Sequence, residues 1–208
     1  MMNSQNIIRK LNKREGFSLT ETLVTVLLLT IVLSAITSGI EAARRAYKSV
    51  RMKSDGQMLL ATTITELSTE FERARKLNGN EELAVDTDGS LKEVLIGSYY
   101  SEYRGCDVTL KYIDPSTATD AEAVGIVLEA MDGKDIPLVN EKTRGLDTLY
   151  TKFGRSDGKD GNPTLKKDST TAGTGYIEFT IQVLNRNTDG TDQAVAEQTV
   201  CVKPSLCM

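Results

Sequence analysis

Glu21 stands at the mouth of a long apolar run: residues 22–40, nineteen in all, carry no charge. A carboxylate beside hydrocarbon is disfavoured by ~3 kcal/mol or more unless it reaches water or meets a cation, so the chemistry open to Glu21 is charge pairing. Ser18, Leu19, Thr20 and Glu21 also fit a capping box, in which an acid at the positive end of the helix dipole is favoured. The chain has no histidine, which removes Ser-His and Cys-His nucleophile pairs and imidazole metal sites together. Its three cysteines, Cys106, Cys201 and Cys207, lack C-x-x-C spacing, so a zinc or thioredoxin-type centre is not expected. One disulfide and one free thiol is the simpler expectation: Cys201 and Cys207 close a small loop, and Cys106 can pair with either instead. Asp157, Asp160, Asn162 and Asp168 supply oxygen ligands in one long loop and make Asp157 and Asp160 calcium candidates. Their spacing does not match an EF-hand, so a solvated loop without metal is the favoured reading. No carboxylate set has catalytic spacing, and no enzyme activity is expected.

The apolar run that Glu21 introduces is close to the roughly 20 residues needed to span a bilayer as a helix. Ahead of it Arg9, Lys10, Lys13 and Arg14 face the single acid Glu15. Beyond it come Arg44, Arg45, Lys48, Arg51 and Lys53, with no acid among residues 44–53. Four cations on one side against five on the other do not orient the segment by charge alone. A secretory signal would instead be cut after the run, at small residues within 34–43.

The order of features, basic residues, Gly16, Phe17, an acid at Glu21 and only then the uncharged run, resembles the class III signal of type IV pilins and type II secretion pseudopilins. The resemblance covers roughly residue 13 to the middle of the long helix. It implies that a prepilin peptidase recognises Lys13 and Arg14, cuts after Gly16, and leaves Phe17 as an N-methylated terminus. Glu21 then neutralises the terminal ammonium of a neighbouring subunit. An ammonium on Phe17 lies four residues away, about 6 Å along a helix at ~1.5 Å per residue. Many family members carry a helix proline where this chain reads Thr37-Ser38-Gly39, so a kink there is left open.

Apolar residues recur at three- or four-residue steps from Ala43 through Tyr47, Leu60, Ile64, Leu67 and Phe71 to Ala74, and Asn78-Gly79 is a stop signal. The expected organisation is a leader at 1–16, one helix over 17–77 with its membrane half at about 20–40, and a β-rich head over 78–208. Gly56 is a weak point in that helix. The basic groups of residues 44–53 either pair with Glu66, Glu70 and Glu72 of staggered neighbours or form a solvated face. In the head, Asp88-Gly89, Asp132-Gly133 and Asp189-Gly190 each separate β-like runs. Ile177, Phe179, Ile181 and Val183 alternate, with Ala194, Ala196, Val200 and Val202 as a facing set; Val108, Leu110 and Tyr112 mark another strand. The fold class is α+β, a long N-terminal helix packed on an antiparallel sheet.

The resemblance implies a subunit, major or minor, of a type IV pilus-like filament; the alternatives are a pseudopilin of a secretion or DNA-uptake machine, and a single-span membrane-anchored binding module. Implied partners are copies of itself and other pilins, prepilin peptidase, a cytoplasmic-membrane assembly platform, and lipid before assembly. The implied location is the cytoplasmic membrane, with the N-terminus cytoplasmic, and then a surface filament. Removing the leader's net +3, from four cations and Glu15, takes the chain's −4 to −7, termini aside, so no general nucleic-acid binding is expected.

Overall fold

The computed structural model describes residues 18–79, 94–118, 124–139, 146, 148–154, 161–167, 175–187 and 189–204. The chain divides into two compact units, Met1–Ser49 and Val50–Met208. Helix α1, Leu19–Glu72, contributes to both.

Within the first unit α1 carries no charge from Leu23 to Ile40, and among the described residues its large apolar side chains are exposed rather than arranged on one buried face. The helix continues through Thr37, Ser38 and Gly39. The Thr37 and Ser38 hydroxyls donate to the carbonyls of Leu33 and Ala35, so the hydroxyls are satisfied without breaking the ladder.

Within the second unit α1 becomes one-faced. Leu60, Leu67 and Phe71 are buried, as the periodicity predicts, with Ile64 partly buried beside them and Leu59 and Thr63 buried on the same face. The helix stops at Glu72, short of the Leu77 expected. Lys76 (φ 50°) and Asn78 (φ 52°) take left-handed conformations, while residues between them and Glu72 are drawn into a strand, β1, Ala74–Arg75. Asn78 is a stop signal used differently from the one expected. Its amide nitrogen donates to the Leu95 carbonyl (2.7 Å) and its oxygen accepts from the Gly97 and Ser98 amides. The post-helix turn is thereby stitched to the chain around residue 96.

The remaining strands are β2 Val94–Leu95, β3 Ser98–Ser101, β4 Cys106–Ile113, β5 Gly125–Ala130, β6 Asp135–Pro137, β7 Leu149–Gly154, β8 Thr164–Lys167, β9 Gly175–Arg186 and β10 Asp192–Val202. They form two antiparallel sheets where one was expected. The first runs β1-β3-β4-β5-β6. In the second, β10 pairs one edge of β9, while β8 and β7 follow each other along the other edge, and β2 pairs β8. A twelve-residue β9 is long enough to serve two successive partners. The turns at Asp132-Gly133 and Asp189-Gly190 form as predicted, each closed by a backbone bond to the residue three earlier. Asp88-Gly89 lies outside the described residues.

The core joins helix to both sheets. Phe71 meets Tyr99 of β3 edge-on at 5.5 Å and Phe179 of β9 at 5.2 Å. Ile177, Phe179, Ile181 and Val183 are all buried, as their alternation predicts. The facing set on β10 needs one correction. A register shift between Ala194 and Ala196 changes the phase, so Ala194 is exposed and Val195 packs on the core instead. A Cβ on Gly56 would lie 2.6 Å from Val195 Cγ1, so Gly56 is a point of close approach between α1 and β10 rather than merely a weak link.

Candidate membrane and assembly segment

The start of α1 is built by backbone bonds from Ser18: its carbonyl accepts from the Glu21 amide (2.9 Å) and the Thr22 amide (3.1 Å). The expected reciprocal capping box is replaced by a hydroxyl pair, Ser18 Oγ with Thr20 Oγ1 at 2.7 Å. Among the described residues the Glu21 carboxylate therefore has no hydrogen-bond or ion-pair partner, although it sits in the first turn where the helix dipole favours a negative charge.

Beyond Glu21 the helix presents Leu23, Val24, Val26 to Leu29, Ile31 to Leu33, Ile36 and Ile40, each at least 50% exposed. Mean hydropathy over its most apolar stretch is 2.4, enough to cross a membrane by length and composition. Five hydroxyls within this stretch are absorbed internally. Thr22, Thr25 and Thr30 donate to carbonyls three or four residues earlier, as Thr37 and Ser38 do. That arrangement hides their donors from a solvent that offers no hydrogen bonds.

Two of the cations past this run have helical partners: Arg45 with Glu41 and Arg51 with Asp55, both at 3.5 Å and one turn apart. The acids expected to complement them in a neighbour are not all available. Glu70 is 1% exposed, its Oε2 accepting from Ser101 Oγ and its Oε1 from Arg104 Nε, each at 2.6 Å. The Arg104 amide donates to Ser101 Oγ as well, which closes the network. Glu70 is thus removed from any outward acidic belt and belongs to the head's interior. The signal was present in the sequence, because Glu70 lies three residues after Leu67 and four before Ala74, on the core-facing stripe. Beside this network the Tyr99 hydroxyl is buried with no hydrogen-bond partner among the described residues. Burial first, and the neighbouring Glu70 charge second, push its pKa well above the usual phenol range.

Among the described residues Cys106 in β4 and Cys201 in β10 are not bridged to each other. Burial raises the Cys201 thiol pKa, with the Glu178 charge adding to it. Cys207, and with it the Cys201–Cys207 pairing, lies outside the described residues. So do Lys13, Arg14, Gly16, Phe17, Asp157, Asp160 and Asp168. Asn162 is described, and its carbonyl accepts from Thr164 Oγ1 at 3.4 Å. Among the described residues no group of three or more His, Cys, Asp or Glu is placed to hold a metal.

Residues 11–37 match the family described as "Prokaryotic N-terminal methylation motif". No curated protein and no solved structure matches the chain. The matched span takes in Lys13 and Arg14, the Gly16-Phe17 junction, Glu21 and most of the apolar run. Residues 11–37 are therefore a prepilin-type N-terminal methylation signal, of the kind typical of type IV pilins and pseudopilins.

Proposed function

We propose that the chain is a structural subunit, major or minor, of an extracellular type IV pilus-like filament. Prepilin peptidase recognises Lys13 and Arg14 and cuts after Gly16 on the cytoplasmic side. Phe17 is then methylated, and the membrane-anchored subunit passes through an assembly platform into the fibre. In the fibre the Glu21 carboxylate pairs with the Phe17 ammonium of a neighbouring copy. The observation that carries this reading is an exposed, uncharged helical segment with a carboxylate in its first turn that has no partner among the described residues. Such a segment is stable in lipid or against like helices, and in either medium an acid is costly without a cation.

The decisive experiment is Glu21→Gln in cells that make no substitute subunit, read as the amount of subunit in sheared surface filaments. Assembly is expected to fall at least about tenfold, the effect of losing ~1.4 kcal/mol or more of charge pairing per contact. Unchanged filament yield overturns the reading. The mass of the mature N-terminus provides the companion measurement: a start at methylated Phe17 supports it, and an intact Met1 or a cut within 34–43 supports an anchored binding module or a secreted head. Sheared filaments also separate a pilus from a pseudopilus, which leaves no long fibre to shear.

A further inference from the structure

The cations just past the apolar run are spaced as a lipid-facing stripe. Residues 22–40 extend about 29 Å as a helix, the thickness of a bilayer's hydrocarbon core. Arg44 and Arg45 follow Ile40 by four and five residues, about 6–8 Å along the axis, which is the depth of the headgroup layer. Lys48 lies one turn beyond Arg44 on the same face. Like charges one turn apart destabilise a helix unless an anion stands between them. No acid occurs among residues 42–54 to supply it. The Arg45 pair with Glu41 leaves those side chains 84% and 62% exposed, so it is open to exchange. Among the described residues Arg44 and Lys48 have no ion-pair partner.

A neighbouring copy is poorly equipped to meet this stripe. Of the three acids that would face it from a staggered helix, Glu70 is buried and held by Ser101 and Arg104, and Glu72 already has a partner within the chain. Five cations within residues 44–53 therefore outnumber the acids left to answer them.

We propose that Arg44, Arg45 and Lys48 form a docking stripe for the anionic headgroups of the leaflet at the C-terminal end of the membrane run. The site acts while the chain is still in the bilayer, so it rests only on the membrane-spanning part of the reading above and not on filament formation. It holds the helix at a fixed depth from the side opposite the basic leader.

The test uses the full chain reconstituted into vesicles of equal phosphatidylcholine and phosphatidylglycerol. The chain contains no tryptophan, so Tyr47→Trp, at a site 69% exposed, introduces a single reporter beside the stripe. Bromines placed on the acyl carbons nearest the headgroup are carried by one lipid or the other, and fluorescence quenching is compared. Quenching by brominated phosphatidylglycerol should exceed that by brominated phosphatidylcholine about twofold or more, and the difference should shrink in high salt. The combined change Arg44→Gln and Lys48→Gln should bring the ratio to about one, while Lys53→Gln, on the opposite side of the helix, should preserve it. Equal quenching in the parent overturns the proposal. So does a preference that survives the double change, or one seen only at protein densities where the chain self-associates.

Discussion

The two halves of α1 share one backbone and answer to different media. Over residues 22–40 the helix is uncharged, its large apolar side chains are exposed on every side, and five of its hydroxyls are turned onto its own carbonyls. After residue 50 it is apolar on one side only, and that side is sealed by two sheets. The contrast teaches that hydrophobicity in this molecule has two uses. In one half it stabilises the fold of a single chain; in the other it contributes nothing to that fold and is available for lipid or for other helices.

Substitutions at matched apolar positions should split the halves most sharply. Phe71 is fully buried and makes ring contacts to both sheets, so Phe71→Ala is expected to lower head stability by about 3–5 kcal/mol. Leu28→Ala, at a residue 55% exposed, should leave that stability within about 0.5 kcal/mol. Denaturant unfolding of the full chain in one mild detergent, followed by near-ultraviolet tyrosine dichroism, reports both. A comparable loss for Leu28→Ala would show that the bare half is coupled to the folding of the head, and the contrast would fail.

The two carboxylates near either end of α1 sharpen the same contrast. Glu21 lacks a partner among the described residues, whereas Glu70 has two within 2.6 Å. Glu70→Ala should destabilise the head by about 2–4 kcal/mol, since it leaves the Ser101 hydroxyl and the Arg104 guanidinium without their acceptor. Arg104 is 21% exposed and can turn partly to water, which keeps the loss toward the lower end. Adding Arg104→Ala should cost much less than the same change made alone, because the pair acts as a unit. Strict additivity in that cycle would mean that Glu70 and Arg104 stabilise the head independently.

Legibility in the sequence followed how local the cause was. The exposed uncharged run and the helical steps through Leu60, Leu67 and Phe71 depend on neighbours a turn away, and they emerged as read. The alternation in β9 and the two Asp-Gly turns are equally local. What failed to emerge depends on distant partners. The split into two sheets follows from β9 pairing with three strands, which no single run announces. The end of α1 at Glu72 is a competition: residues 74 and 75 have helical spacing, but pairing with Ser101 and Tyr100 of β3 draws them into a strand. The phase change that exposes Ala194 comes from a bulge with no glycine to mark it. Glu70 stands on the core-facing stripe between Leu67 and Ala74, but the partners that satisfy it there, Ser101 and Arg104, lie some thirty residues on, beyond the reach of a local pattern.

A surface ion pair tests whether the head owes its stability to burial rather than to charge. Asp114, just past β4, accepts from the Ser116 hydroxyl and amide and from Arg186 Nη1 at 3.2 Å, tying the end of one sheet to the end of the other. Those bonds, the Ser116 hydroxyl foremost, hold the Asp114 carboxyl down at about 2. A depressed acid stabilises the fold above its unfolded value near 4, and the contribution fades as pH falls from about 4 toward 2. The side chain is 46% exposed, so solvent screening limits the effect to less than about 1 kcal/mol. Asp114→Asn should therefore unfold slightly earlier than the parent at pH 7, and the gap should close progressively below pH 4. Unfolding midpoints in urea at pH 7, 4 and 2.5 measure it. A gap that stays constant across that range would show that the Asp114 side chain stabilises the turn by shape and hydrogen bonding alone, with its charge contributing nothing.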